Sequence, residues 1–247
     1  MAEMFTQAPA LDLPDRYTDR GPIAVGGMGE VRRVWDNLLS HTVAMKISLP
    51  SIAAHSALRQ RFLDEARLTA RLSHPSIIPV HDLGTLSDGR LFFTMAEVEG
   101  RTLERHLQDH DHSASALPPR WMFDVFVRVC QTIAYAHSLD VIHRDIKPDN
   151  IMIGAFGEVW VMDWGVARWD DEVPLTGALS GGVRTQTAAG QVLGTPAYMS
   201  PEQARGRQEL LGPETDIYAL GAVLYTMLTG LRPVSYTHLT LPTIQPV

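Results

Sequence analysis

Residues 143–150 read His-Arg-Asp-Ile-Lys-Pro-Asp-Asn, and Asp163-Trp164-Gly165 follows a short distance further along the chain. The first run places a candidate base (Asp145), a cation (Lys147) and a metal-ligating amide (Asn150) on one loop, and Asp163 adds a carboxylate from a separate turn. Phosphoryl transfer requires such a set: a group that orients the attacking hydroxyl, a positive charge near the moving phosphoryl group, and oxygen ligands for magnesium. An isolated His-Arg-Asp carries little information, whereas the longer run followed by Asp-x-Gly is specific.

With these motifs the chain resembles the bacterial eukaryotic-like (Hanks-type) protein kinase catalytic domains, on the serine/threonine side because of Lys147. The resemblance implies an α+β, two-lobed protein kinase fold, with a five-stranded N-lobe that carries one main helix and a mainly helical, incomplete C-lobe. It also implies transfer of the γ-phosphoryl group of ATP to serine and threonine hydroxyls of proteins, with Mg²⁺ as the metal. Two alternatives remain: a non-catalytic nucleotide-binding pseudokinase or scaffold, and a small-molecule phosphotransferase of related fold. Pseudokinases usually lack a residue equivalent to Lys46, Asp145 or Asp163, and this chain has all three.

Composition excludes several classes of protein. The chain has 247 residues, a net charge of -7 and 45% hydrophobic residues, which is ordinary for a globular protein and gives no electrostatic basis for binding nucleic acid or an anionic membrane. A single cysteine, Cys130, excludes an intramolecular disulfide framework and favours a reducing, cytoplasmic compartment. The longest apolar run, Ile217–Leu231, is too short to span a bilayer, which takes about 20 residues, so no membrane segment is predicted.

Hydrophobic periodicity and turn residues predict the elements of secondary structure. Strands are expected from Ile23 to Ser48 around a glycine turn, and then at Ile77–Asp82 and Leu91–Ala96. The predicted helices are Leu58–Leu72, Trp121–Leu139 and Asp216–Gly230. The last of these is apolar on nearly every side, so it needs cover all round. With further C-lobe helices expected to be missing, one face of it is predicted to meet water as an apolar patch.

The turn Gly26-Gly27-Met28-Gly29 lies between two predicted strands, where glycines allow backbone amides to approach a triphosphate. Taken alone, the turn is equally consistent with a plain hairpin. The kinase pattern has a further glycine two residues before Gly26, and Ala24 stands there instead, which is a departure that weakens the expected closure on phosphate. Residues expected to contact ATP here and on the neighbouring strands are Ile23, Ala24, Gly26, Gly27, Gly29, Val31 and Ala44.

A lysine on an otherwise apolar strand, Lys46, and a glutamate on the inward face of the next helix, Glu65, explain each other. A carboxylate in that position is costly unless it is paired. Lys46 is therefore expected to hold the α- and β-phosphates and Glu65 to hold Lys46. By resemblance, Met95 is the gatekeeper and the backbone of Ala96 and Val98 bonds the adenine edge. Met152, together with Val31 and Ala44, is expected to sandwich the ring.

The resemblance assigns further roles in the second half of the chain. Asp145 is the expected base, Lys147 neutralises the γ-phosphate, and Asn150 and Asp163 ligate magnesium, for which carboxylate and amide oxygens are suitable hard ligands. Thr195 is expected to bridge Asp145 and Lys147. Trp164 stands where the family has phenylalanine, packed against His143, which is expected to be a packing and hydrogen-bonding residue. Asp216 is expected to brace the backbone of the catalytic loop.

The segment Gly194–Glu202 resembles the part of kinases that receives the substrate's serine or threonine, and Glu202 is expected to lie buried against an arginine that this chain lacks. Upstream, Thr185 and Thr187 resemble the phosphorylated stretch of bacterial membrane-anchored kinases. Arg144 offers a guanidinium for phosphate on that segment. Autophosphorylation between two copies, in a homodimer, is the implied activation route.

The predicted organisation is an N-terminal tail at residues 1–19, a kinase N-lobe at 20–98 and a partial C-lobe at 99–233. Residues 234–247 resemble a translated library-adapter sequence and are predicted to be non-native. Three or more further C-lobe helices are expected in a complete domain, so the fragment itself is expected to be poorly active. The full-length protein is expected to be cytoplasmic or anchored to a membrane through a missing C-terminal region.

Overall fold

The computed structural model describes residues 11–53, 55–110, 118–164, 168–169 and 196–233. Contacts divide the chain into two compact units, residues 1–99 and 100–247.

The first unit is built on an antiparallel sheet of five strands in the order β1-β2-β3-β5-β4. Its strands are β1 (Tyr17–Val25), β2 (Gly29–Asp36), β3 (His41–Ser48), β4 (Val80–Thr85) and β5 (Leu91–Ala96). A short helix α1 (Pro50–Ala53) and the long helix α2 (Ser56–Arg71) connect β3 to β4. The predicted five-stranded lobe with one main helix is confirmed.

Buried side chains form a cluster on each face of the five-stranded sheet. On one side Val43, Met45 and Ile47 form a cluster with Val34, Tyr17 and Phe92. A second cluster joins helix α2 to the sheet through Phe62, Ala66, Leu91 and Phe93. The Phe62 and Phe93 rings lie 5.2 Å apart, centroid to centroid. This packing fixes the face of α2 that carries Glu65 against the sheet.

Strand β1 begins at Tyr17, six residues before the predicted start at Ile23 and inside the segment predicted to be an N-terminal tail. Tyr17 is buried, its ring packs edge-on against Phe92 at 6.0 Å, and its hydroxyl donates to Asp82 Oδ2 at 2.9 Å. The stretch was missed because β1 is an edge strand: beyond Tyr17 nearly all of it is exposed, so it shows no apolar alternation.

Strand β4 is Val80–Thr85, whereas Ile77–Asp82 was predicted. Ile77 and Ile78 are buried, but they lie before the strand. Pro79 has no N–H to contribute to a ladder, and its carbonyl accepts from Ala96 N at 3.2 Å. The apolar residues Ile77 and Ile78 therefore contribute to the core without belonging to the strand. For this reason the predicted strand begins three residues before the observed one.

The second unit is mainly helical, as predicted. Its main helices are α3 (Leu103–Asp109), α4 (Arg120–His137) and α6 (Pro213–Thr229), with a short α5 (Pro201–Ala204) and 3₁₀ turns at Pro148–Asn150, Pro196–Tyr198 and Gln208–Leu210. The strands β6 (Gly100–Thr102), β8 (Ile151–Gly154) and β9 (Val159–Val161) form one small sheet, and β7 (Val141–Ile142) pairs with β10 (Arg168–Trp169).

The core of the second unit lies where α4 contacts α6, β7 and β9. Met122, Val129, Ile133 and Ala136 are buried on the predicted inner stripe of α4. Helix α6 buries Asp216, Leu220, Val223 and Met227 but leaves Ile217, Tyr218, Tyr225 and Leu228 exposed by 41–59%. The exposed apolar face predicted for this helix is therefore present within the part of the chain that the structure describes.

Candidate active site

The predicted catalytic loop connects β7 to the 3₁₀ turn Pro148–Asn150. Its centre is the Asp145 carboxylate, whose Oδ2 accepts from Lys147 Nζ at 2.7 Å and from Asn150 Nδ2 at 3.0 Å. Asn150 Nδ2 also donates to the Asp145 carbonyl at 2.8 Å. Three of the predicted residues therefore meet on one carboxylate, which is held in a fixed orientation.

Asp216, in the first turn of α6, holds the backbone of this loop. It is completely buried, and its Oδ2 and Oδ1 accept from the N–H groups of His143 and Arg144, each at 2.8 Å. His137 Nε2 lies 2.8 Å from Oδ2. The predicted bracing of the loop by Asp216 is confirmed. Arg144 has a φ of 67°, a left-handed conformation that a non-glycine residue adopts only when its surroundings impose it.

His143 is fully buried and serves packing and hydrogen bonding. Its Nδ1 accepts from Asp145 N at 3.2 Å, so Nε2 carries the proton that bonds to the Met162 carbonyl at 3.0 Å. Its ring lies 4.6 Å from that of Trp164, centroid to centroid. Trp164 is buried and its Nε1 donates to the Val161 carbonyl at 3.1 Å. Tryptophan is therefore accommodated at this position with its polar atom bonded.

The two predicted metal ligands lie at neighbouring strand ends. Met162 N donates to the Asn150 carbonyl at 2.8 Å, and Asp163 follows directly in the sequence. Asp163 is exposed and has a φ of 62°, so its carboxylate stands at a sharp backbone bend. Because Asn150 Nδ2 is used by Asp145, Asn150 Oδ1 is the atom left for a cation. An amide oxygen and a carboxylate fit the hard oxygen donors that magnesium prefers.

In the first unit, Gly26–Gly29 forms the turn between β1 and β2, closed by a bond from Gly26 N to the Gly29 carbonyl at 2.8 Å. A Cβ at Gly29 would lie 2.5 Å from the Ile47 carbonyl oxygen, so glycine is required there by the β2–β3 pairing. Ile23, Ala24, Gly26 and Gly27 are exposed. Their backbone and side chains are accessible, as a ligand-binding turn requires.

Lys46 on β3 contacts the Glu65 carboxylate on α2, as the sequence predicts. The Lys46 and Glu65 side chains are only 15% and 5% exposed. Lys46 Nζ also lies 5.8 Å from the centroid of the Phe93 ring, opposite it in the β3–β5 register. Val31 is half-buried opposite Lys46 in the β2–β3 register, and Ala44 is buried. The ammonium group is therefore held between the central strand of the sheet and helix α2.

The remaining predicted ATP contacts lie on both units. Met95 and Ala96 end strand β5, and they and Val98 are half-buried. The Ala96 N–H is already engaged by Pro79 O at 3.2 Å, so only its carbonyl is a candidate for adenine. Met152 in β8 is half-buried and pairs with Thr102 and Trp160.

The segment predicted to receive the substrate is described from Pro196 onward, and Thr185, Thr187 and Thr195 lie outside the described residues. Ser200 and Gln203 form a capping box at the start of α5. Gln203 is not among the residues predicted from the sequence, although the Ser-x-x-Gln spacing could have revealed it. Its Nε2 donates to the Arg144 carbonyl at 2.7 Å.

The expectation that Glu202 is a stranded buried charge is wrong. Glu202 is half-buried, and its Oε1 accepts from the Thr215 hydroxyl at 3.0 Å. The hydrogen bond from the Ser200 side chain, with smaller contributions from its own backbone and Thr215, lowers the pKa of Glu202 from its ordinary value. A half-exposed carboxylate with hydroxyl donors does not need an arginine to remain ionised.

The family model described as protein kinase domain matches residues 17–242. The chain belongs to the protein kinase domain family. Membership of this family implies the use of ATP. The match begins at Tyr17, where β1 begins, and extends past Pro233, where the resemblance was predicted to end.

Similar curated proteins are serine/threonine kinases of chlamydial bacteria. Serine/threonine-protein kinase PknD of Protochlamydia amoebophila is 38% identical over 235 residues, which cover 89% of this kinase domain chain and 23% of the relative. PknD of Chlamydia felis is 37% identical over 231 residues, 87% of this chain and 24% of the relative. PknD of Chlamydia trachomatis serovar D is 37% identical over 260 residues, which cover 90% of this chain and 26% of the relative. The chain spans about a quarter of the length of these relatives.

Among the described helices of this kinase domain, none combines the length and apolarity needed to cross a bilayer.

Proposed function

We propose that this chain is the catalytic domain of a magnesium-dependent protein kinase that transfers the γ-phosphoryl group of ATP to serine and threonine hydroxyls of proteins. The observation that carries the proposal is the Asp145 carboxylate held by Lys147 and Asn150 on a loop braced from α6. Positioning and electrostatic stabilisation are what phosphoryl transfer requires of a protein.

Asp145 is proposed to orient the substrate hydroxyl and to accept its proton. Lys147 and Asn150 are both bonded to Oδ2 of Asp145, so Oδ1 is the proposed acceptor for the substrate hydroxyl. The Lys147 ammonium, 2.7 Å from Oδ2, supplies positive charge beside the base, where negative charge on the transferring group needs neutralisation. The resemblance of the Lys147 run to serine/threonine kinases, and the serine/threonine-protein kinases among the similar proteins, support serine and threonine as acceptors.

Lys46 is proposed to hold the α- and β-phosphates, with Glu65 fixing the position of its ammonium group. Lys46 and Lys147 are the only two lysines of the chain, and every other cationic side chain is arginine or histidine. Lysine is a compact point charge, whereas arginine is a planar fork, so the two are not interchangeable at a phosphate. The two lysines of the chain therefore occupy the two positions that are proposed to contact phosphate groups of ATP.

Magnesium, held by Asn150 Oδ1 and Asp163, would supply charge neutralisation of the phosphate oxygens. The proposed adenine contacts are the Ala96 carbonyl and the Val98 backbone, with Val31, Ala44, Met95 and Met152 as apolar neighbours.

The proposed regulation is autophosphorylation at Thr185 or Thr187 between two copies of the chain. Arg144 is the candidate partner for the phosphate, because it follows His143 on the braced loop and carries a bidentate donor. The proposed compartment is the cytoplasm, which fits the single cysteine. Phosphopeptide mapping of active protein in which both threonines are unmodified would exclude this route.

The test is a transfer assay with radiolabelled ATP, magnesium and a generic basic protein. Lys46→Met and Asp145→Asn should each lower kcat/KM by about 10³-fold or more, because the parts act as a unit. Matched controls on the surface, Arg101→Met and Asp124→Asn, should change it less than about twofold. Equal activity in the Lys46 and Asp145 variants would refute the assignment.

The same assay separates the kinase from a pseudokinase. Asp145→Asn should keep ATP affinity within about threefold, since Asp145 is proposed to act on the hydroxyl and not on the nucleotide. Wild-type protein that binds ATP with magnesium and transfers no phosphate would favour the pseudokinase alternative.

A further inference from the structure

Both ends of the peptide unit that precedes the proposed base are fixed by side chains. The Arg144 carbonyl and the Asp145 N–H belong to the same peptide plane. His143 Nδ1 accepts from that N–H at 3.2 Å, and Gln203 Nε2 donates to that carbonyl at 2.7 Å. Rotation about the Cα–C bond of Arg144 would turn this plane and carry the Asp145 Cα and its carboxylate with it.

This peptide plane follows a residue in an unfavourable conformation. Arg144 has a φ of 67°, and such left-handed conformations at non-glycine residues persist only where the surroundings over-determine them. Asp216 holds the N–H of Arg144 at 2.8 Å, and Gln203 holds its carbonyl from a different helix. Without Gln203 the Arg144 carbonyl loses this hydrogen bond, which removes one of the restraints on the left-handed conformation.

The Gln203 side chain is suited to this position by its two different ends. Its Oε1 accepts from Ser200 N at 3.0 Å while its Nε2 donates to the Arg144 carbonyl. A carbonyl can only accept and an N–H can only donate, so the orientation of the amide is determined by its partners. An ionised glutamate could keep the bond to Ser200 but would face the Arg144 carbonyl with a second acceptor.

We propose that Gln203 is a positioning residue for phosphoryl transfer: it links the substrate-receiving segment at Ser200 to the peptide plane that orients Asp145. The inference rests on the proposed kinase function for its effect on turnover. The contact itself concerns only the second unit and does not depend on nucleotide binding.

Two variants test the proposal. Gln203→Glu has the same shape and replaces the donor by an acceptor, and Gln203→Met has a similar length and no polar end. The matched control is Gln131→Glu, at an exposed position of α4, which makes the same chemical change. Hydrogen–deuterium exchange of residues 143–147 is measured together with kcat, the KM for ATP and the melting temperature.

Both Gln203 variants should increase exchange of the Arg144 and Asp145 amides by about tenfold or more, with the KM for ATP unchanged and kcat lowered by about tenfold to a hundredfold. The control should match wild type in each measurement. A fall in kcat with an unchanged KM for ATP would not follow from loss of α5 stability alone.

The outcomes separate this inference from the proposed function. Unchanged exchange at Arg144 and Asp145 in both variants would overturn the inference whatever the activity. Faster exchange with an unaltered kcat would overturn the role in turnover. Wild-type protein without any phosphate transfer would instead overturn the proposed function, because the exchange measurement needs no catalysis.

Discussion

Replacing Asp216 by asparagine removes one charge and almost no volume from the centre of the second unit. The carboxylate is fully buried and accepts from His143 N and Arg144 N, with His137 Nε2 also at 2.8 Å. An amide oxygen can replace Oδ2 and keep two of these donors. The amide nitrogen then faces the Arg144 N–H, which is left without an acceptor.

The expected loss of stability follows from these contacts. A buried donor without a partner costs about 1–3 kcal/mol, and two charge-assisted bonds become neutral ones of roughly half the strength. Together these give about 3 kcal/mol, a large share of the ~5–15 kcal/mol of a typical domain. For a chain of this size that corresponds to a fall in Tm of about 6–12 °C.

The assay is urea denaturation followed by tryptophan fluorescence, supported by a thermal melt. Asp124→Asn on the exposed face of α4 is the control, and its free energy of unfolding should change by less than about 0.5 kcal/mol. If Asp216→Asn loses less than about 1 kcal/mol, the three contacts to Asp216 do not stabilise the loop as described.

Two further predictions concern the first unit. Glu65→Gln should raise the KM for ATP and lower kcat/KM by about tenfold or more, because the Lys46 ammonium loses its ionic partner; equal kinetics would show that Lys46 needs no positioning. Arg16, with smaller contributions from the backbone of the β2–β3 turn, lowers the pKa of Asp36 from 3.8 to about 2. A carboxylate whose pKa is depressed in the folded protein stabilises it above its unfolded pKa and loses that effect as pH falls through the folded value. The Tm of Asp36→Asn should therefore lie below that of wild type at pH 7, and the difference should shrink between about pH 4 and pH 2; a constant difference would contradict the ion pair with Arg16.

Much of the fold could be predicted from local pattern. A few neighbouring residues are enough to identify the turn Gly26–Gly29, strand β5 and the amphipathic helix α4. Their types and approximate bounds were therefore predicted. The Lys46–Glu65 contact was also predictable, because a carboxylate on an inward helix face requires a nearby cation. Such features follow from periodicity and from the cost of burying charge.

Other features depend on partners distant in sequence. Tyr17 belongs to the sheet because of Phe92 and Asp82, which no window around Tyr17 contains. The contact of Gln203 with Arg144 joins two exposed-looking polar stretches that show no periodicity. Sequence patterns report burial along one element, whereas these contacts arise only when separate elements fold together.

Lys46 lies on the central strand of the first sheet, between β2 and β5, and this has a practical consequence for measuring how that unit opens. A protease that cuts only after lysine finds two candidate sites in the whole chain, and the bond after Lys147 is protected by Pro148. Cleavage is therefore confined to the bond between Lys46 and Ile47, which is paired on both sides in the folded sheet. The rate at which residues 1–46 separate from the rest therefore reports every opening that releases strand β3 from the sheet, with no label and no engineered site.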